Sequence, residues 1–367
     1  MKHLPIILIA SLGFALCARA GDTPKIEGVS QAAIQNAFQI LRSDYIRSNE
    51  LNFDELNRAA LQGLLQRLYL GATLIRKSDA LRPVTATGVI AEKLTAEIGY
   101  LRPQSYAEAE ISELQAKLRE FRTAGLPHLI LDLRSAAAPG EFDIAAAMLE
   151  CFIPESELIF KLKQVGRDDS QLFISHRAPI WTGPLLVLVD QETNNLGETI
   201  AAVLRQRKQA VILGTRTRGA TVRYETQPLD DEWLLRFARA EMLLMDDSSL
   251  FQLGLPVDFS IDLPLDSKRQ LFPSSNPPPL KQTVFDQPRP RYNEAALVAR
   301  KNPELEEYIR RSAGKPSADS QQPVHDTVLQ RAVDILLTRT HLDGASLPWE
   351  QKLREPSPTI RKATRAP

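Results

Sequence analysis

The residues able to do covalent chemistry in this 367-residue chain are few. Two cysteines and five scattered histidines cannot assemble a dense metal site or a disulfide framework. Cys151 lies in the apolar stretch Met148 to Phe152 and reads as a small buried hydrophobe rather than a nucleophile. The run Glu192-Thr193-Asn194-Asn195-Leu196-Gly197-Glu198 holds the hydroxyl of Thr193, with Lys208 and Arg216 as charged groups downstream. A hydroxyl attacks a carbonyl only when a base removes its proton, and an arginine stays protonated. Thr193, Asn194 and Asn195 also suit a turn that caps a helix beginning near Leu196.

The elements that must hold these residues are legible as periodicity. From Ser30 to about Ile75 the apolar residues recur at helical spacing, through Ile34, Phe38 and Leu41 and then Leu61, Leu64 and Leu68. From Thr85 to about Asp262 short β-rich runs alternate with amphipathic helices. Strands are expected at Glu97 to Leu101, Leu129 to Leu133, Leu185 to Val189 and Ala210 to Leu213. Helices are expected at Tyr106 to Phe121, Phe142 to Phe152 and Leu196 to Arg205. A strand such as Leu185-Leu186-Val187-Leu188-Val189 is apolar on both faces, as a parallel sheet covered by helices requires. Beyond Asp266 the prolines from Pro273 to Pro290 argue for a linker or wrapping arm. A helix from Thr327 to Leu337 follows, with Asp326 as N-cap, and the end of the chain from Gly344 reads as a disordered tail.

Whole-chain properties exclude several function classes. Lys plus Arg and Asp plus Glu both number 45, so no excess of charge favours nucleic acid. Lys2 and His3 precede about thirteen mostly apolar residues, Leu4 to Leu16, and Ala18-Arg19-Ala20 supplies small residues for cleavage. Such a run falls short of the roughly 20 residues that cross a bilayer, so a cleaved secretory signal is expected and no permanent span. Leu16 before Cys17 speaks against a lipoprotein anchor. The expected layout is a signal peptide over 1–20, a helical segment over 21–83, an α/β core over 84–266 and a proline-rich arm with one helix and a disordered tail over 267–367.

An ordered set of landmarks within this core resembles the C-terminal processing, or tail-specific, serine peptidase family. Ile98-Gly99-Tyr100-Leu101-Arg102 matches the strand opening the family's catalytic core, and Leu129-Ile130-Leu131-Asp132-Leu133-Arg134 its Leu-Asp-Leu-Arg strand. Leu186 to Asp190 with Glu198 matches the strand and helix that carry the nucleophile. Ala210 to Gly214 with Thr217-Arg218-Gly219 matches the strand and turn that deliver the catalytic lysine. Gly254-Leu255-Pro256-Val257-Asp258 is similar to the family's closing Gly-Ile-x-Pro-Asp. The resemblance implies a crotonase-like α/β core of βαβ units, with the helical segment before it and the proline-rich arm after it. An inserted PDZ domain needs on the order of 80 to 100 residues, and the stretch from Ile75 to Ile98 has no room for one.

The same resemblance implies chemistry in which a serine attacks a peptide carbonyl while a neutral lysine takes its proton, with no cofactor and no metal. Carried onto this sequence, the nucleophile position is Asn195 and the base position is Ala220, at the family's own spacing. An amide is not nucleophilic and a methyl group takes no proton. The oxyanion side is altered too: Arg134 is followed by Ser135-Ala136-Ala137-Ala138-Pro139-Gly140-Glu141, longer than the family's loop and with glutamate where its second glycine stands. Backbone amides near Gly140 and at Leu196 are the oxyanion-like donors, and Thr193, Asn194, Glu198 and Arg218 the cleft candidates. The expectation is a secreted or periplasmic, catalytically inactive family member that binds unfolded or extended polypeptide, or an envelope protein, in the family cleft. The alternatives are an active serine-type peptidase using Thr193 or Ser135, and a structural envelope subunit that binds through its proline-rich arm.

Overall fold

The computed structural model describes residues 28–80, 88–134, 141–273, 278–285 and 324–343, with isolated positions between 302 and 312. The chain divides into two compact units, Met1–Arg67 and Leu68–Pro367. In the first, helix α1 spans Gln31–Asp44, with the Ser30 hydroxyl accepting from the Ala33 amide as N-cap. Helix α2, Phe53–Leu68, begins there and ends at the boundary. Neither helix buries a residue. The expected signal peptide lies outside the described residues, and among these no helix is long and apolar enough to cross a membrane.

The second unit opens differently from expectation. The helical pattern stops at Leu68, Tyr69 turns the chain with φ 50°, and Ala72–Arg76 forms strand β1 rather than further helix. The partner that makes it a strand is β10, Trp233–Leu243, which pairs Ala72 with Phe237 and Arg76 with Trp233. After the one-turn helix α3, Lys77–Ala80, come β2, Val89–Lys93, and β3, Ile98–Pro103. Helix α4, Glu108–Thr123, and strand β4, His128–Asp132, complete a βαβ unit with β3.

Helix α5, Phe142–Leu149, leads to β5, Leu158–Gln164, and β6, Gln171–Ile174. A second βαβ unit is β7, Leu185–Val189, helix α6, Asn195–Gln206, and β8, Ala210–Gly214. Strand β9, Val222–Pro228, folds back along β10, and β11, Phe259–Ser260, closes one edge of the main sheet. That sheet has six strands in the order β11-β8-β7-β4-β3-β2, parallel except for β2. The other sheet joins β1, β10, β5, β6 and β9 in antiparallel pairs.

Alternation along the parallel strands splits the core into two layers. Leu129, Leu131, Leu185, Val187 and Val189 point to the layer holding α4, α5 and α6. Ile130, Leu186, Leu188 and Leu213 point to the other, where Val284, Val328, Leu329, Ala332, Val333 and Leu336 cover them. Each fully buried Val, Leu or Ile among them contributes about 1.5–3 kcal/mol. The α/β core read from the sequence is therefore present, with both sheet faces covered as the apolar strands demand.

The segment expected to be a proline-rich linker contains two short helices, α7, Leu265–Leu271, and α8, Leu280–Val284. Each starts directly after a proline, Pro264 and Pro279, whose fixed φ suits a helix entry even though it bars a helix interior. The last described helix, α9, Thr327–Asp343, is capped as expected: the Asp326 carboxylate accepts from the Leu329 amide at 3.0 Å. The tail from Gly344 lies outside the described residues.

Candidate functional site

Two turns at the carboxyl ends of neighbouring parallel strands build the site. β7 ends at Val189 and β8 at Gly214, which are in register, so the loops that follow them emerge side by side. After β7 the Asp190 carboxylate accepts from the amides of Glu192, 2.9 Å, and Thr193, 3.0 Å. The Thr193 hydroxyl accepts from the Asp190 amide, 3.0 Å, and donates to the Leu133 carbonyl, 3.2 Å. Lys268 of α7 binds both Asp190 and Glu192, stapling the turn from outside.

The chain then enters α6 through Asn195, whose φ of 44° lies in the left-handed region that asparagine tolerates better than most side chains. The sharp strand-to-helix turn resembles in kind the strained elbow that exposes a nucleophile at the end of a sheet. Asn194 does not cap the helix with its side chain, contrary to expectation; its amide donates to the Glu192 carbonyl at 2.9 Å. The helix starts at Asn195, one residue before Leu196, because Thr193 and Asn194 are spent on the turn.

The second turn, Thr217 to Ala220, is held by Glu198. This fully buried carboxylate accepts from the amides of Gly219, 2.7 Å, and Ala220, 2.8 Å, and from the Thr217 hydroxyl. Burial raises its pKa, and these donors oppose the shift. The Thr217 hydroxyl in turn accepts from the Leu255 amide at 2.7 Å. The backbones of Gly219, φ 84°, and Gly254, φ 70°, nearly touch: a Cβ on Gly254 would sit 2.2 Å from the Thr217 carbonyl oxygen.

Between the turns opens a cleft of about 400 Å³ lined by Tyr69, Leu70, Thr73, Asn194, Asn195, Arg218, Ala220, Tyr224 and Arg236. Asn195 and Ala220 thus face the same concavity. The Asn195 Oδ1 is buried without a hydrogen-bond partner. The Tyr224 hydroxyl donates to the Leu70 carbonyl at 2.9 Å, and the Arg236 guanidinium lies 4.3 Å from the centre of its ring. Thr193 does not line the cleft and is 2% exposed, and the side chain of Leu196, 1% exposed, points into the core. Ser135 and Gly140 lie outside the described residues. Glu141 is exposed and pairs with Arg223 at 3.2 Å. Cys151 is buried, and burial pushes its thiol up to about 12.

Sequence reasoning missed Tyr69, Leu70, Thr73, Tyr224 and Arg236, all on or beside β1, β9 and β10. The available signal was Asp230-Asp231 between two half-apolar runs: the Asp230 carboxylate accepts from the amides of Glu232 and Trp233 and turns the hairpin.

The signature of peptidase family S41 matches residues 97–261, the stretch from β3 through β11 that contains both turns. The core of this chain belongs to peptidase family S41. Two relatives of the S41 core are the carboxyl-terminal-processing protease of Synechocystis sp., 25% identical over 247 residues, covering 64% of this chain and 57% of that one, and the carboxy-terminal-processing protease of Bartonella bacilliformis, 26% identical over 196 residues, covering 51% and 44%. The chain spans about half the length of these curated relatives. A solved structure of a peptidase-like protein from Parabacteroides merdae shares this fold, with a TM-score of 0.50 at 17% identity, covering 66% of this chain and 84% of that one.

Proposed function

We propose that this S41 core has lost hydrolysis and keeps its cleft to bind extended polypeptide. The carrying observation is that the two turns present to the cleft an amide, Asn195, and a methyl, Ala220. Ser–Lys acyl transfer needs a hydroxyl at one and an amine at the other, so neither attack nor proton removal has a group to perform it. The cations lining the cleft, Arg218 and Arg236, stay protonated and serve as no base. Rescue by Thr193 is opposed by its burial and by its bonds to Leu133 and Asp190. The amine that reaches that turn from α7, on Lys268, is committed to two carboxylates.

The reading extends to location. The charged start, apolar run and Ala18-Arg19-Ala20 support export to the periplasm or beyond, with cleavage of the leader. Serine-directed acylating probes should leave the chain unlabelled while an unfolded polypeptide binds it. Installing Ser at 195 alone should change little, because residues of a catalytic unit act together. The pair Asn195→Ser with Ala220→Lys should regain labelling above background. Labelling of the unaltered chain, lost on changing one Ser or Thr, would overturn the proposal in favour of an active peptidase.

A further inference from the structure

The parallel sheet has a further opening, at the end opposite the cleft. The starts of β7 and β8, the loops that lead into them and the later turns of α9 border a cavity of about 460 Å³, with Phe152, Trp181, Val211 and Ile335 among the apolar residues lining it. Every other residue of β4, β7 and β8 is buried, but Val211 is 38% exposed. Val211 pairs in register with Leu186 and shares the face of Leu213, so it belongs to the layer that α9 covers, and the cover stops short of it. The Trp181 indole N–H donates to the Gly183 carbonyl at 3.1 Å, which leaves its ring as hydrocarbon surface. Lys208 and Arg339 stand at the same opening. Among the described residues no carboxylate lines it, and Lys208 forms no ion pair.

The chain itself supplies an occupant of matching chemistry. Helix α9 ends at Asp343, seven residues or about 10 Å beyond Leu336, and the sequence continues Gly344-Ala345-Ser346-Leu347-Pro348-Trp349-Glu350. Glycine directly after a helix is the residue type that reverses the chain there. Four to six extended residues span roughly 13–20 Å, so Leu347 and Trp349 reach back to the opening that Leu336 borders. Within 344–350 Glu350 is the sole charge, and it complements Lys208 and Arg339. Residues 351–367 carry five Lys and Arg against one Glu, which those two cations repel. We propose that Leu347, Pro348 and Trp349 dock in this opening and cover Val211, with Glu350 paired to Lys208. The site lies at the amino ends of β7 and β8, so the docked segment leaves the cleft at their carboxyl ends open.

Acrylamide quenching of Trp349 in the full chain tests this, with its emission isolated as the difference from Trp349→Phe. Trp349 should emit to the blue of the same residue in a free peptide of residues 344–350 and be quenched several-fold less. Val211→Asp should bring quenching to the level of the peptide. Lys208→Glu should do so in part, and adding Glu350→Lys to it should restore protection. Val211 and Lys208 are both exposed, so these variants keep the fold, which circular dichroism melts verify. Protection that vanishes on dilution would overturn docking within one chain in favour of exchange between copies. A fully quenched Trp349, or protection indifferent to Val211→Asp and Lys208→Glu, would overturn the site.

Discussion

Asn195 serves the turn with its backbone and the cleft with its side chain. Its backbone sits at φ 44°, so the strand-to-helix elbow survives, while the side chain offers an amide to the cleft. Its neighbours explain which landmarks were readable. Glu198 was visible as a family position, but its work, clasping the Thr217–Ala220 turn through backbone amides, is invisible in residue types alone. Thr193 invited two readings from its hydroxyl, and only the contact with Leu133, 60 residues away, settles that it locks strand to turn. Glu198→Gln sets an amide donor against the N–H of Gly219 or Ala220. We expect it to lower stability by about 2–4 kcal/mol in urea unfolding. A loss below about 1 kcal/mol would show that the clasp is not needed to hold the turn.

At the scale of elements, strands β4, β7 and β8 were legible because each carries a central run of consecutive apolar residues, nearly all of them buried. Strands β1, β9 and β10 were not. β10, Trp-Leu-Leu-Arg-Phe-Ala-Arg-Ala-Glu-Met-Leu, is rich in good helix formers, and pairing with β1, β5 and β9 overrides that preference. β1 follows α2 so closely that local periodicity continues the helix, whereas its partner lies far along the chain. The glycine pair is the opposite case: Gly219 and Gly254 stood out in sequence, and their positive φ and near contact give the physical reason. Gly254→Ala must push its new methyl into the Thr217 carbonyl. The variant should lose about 2–4 kcal/mol and bind polypeptide more weakly, as calorimetry of melting and of binding would read. Unchanged melting and binding would show that the turn does not depend on this close approach.

Across the whole second unit, one buried ion cluster ties the parallel sheet to the last described helix. Arg134 reaches Asp132, 2.7 Å, and Asp326, 2.7 Å, and the Tyr100 hydroxyl donates to Asp132 at 2.7 Å. The Leu-Asp-Leu-Arg landmark thus anchors α9, a long-range role that no local pattern displays. Burial by itself would raise the Asp132 pKa, but the Arg134 guanidinium, helped by Arg102 and Tyr100, holds it below the usual carboxylate value. Because the folded value lies below the unfolded one, this contribution is complete above the unfolded pKa of roughly 4 and drains away as pH falls through the folded value. Stability should therefore decline in acid below about pH 4, with a shallower slope in Asp132→Asn; equal slopes would contradict the assignment. Asp326→Ala strands the buried guanidinium and removes the cap of α9. It should cost about 3–5 kcal/mol and raise hydrogen exchange first in Thr327–Asp343.

The central claim, a family S41 cleft that binds without cutting, is tested most directly by mass spectrometry. The full chain is incubated with an unfolded polypeptide, and the captured polypeptide is weighed. The polypeptide should be recovered bound and intact after an incubation in which a working serine peptidase would digest it. Recovery of fragments, abolished by changing a single Ser or Thr at the cleft, would contradict the account.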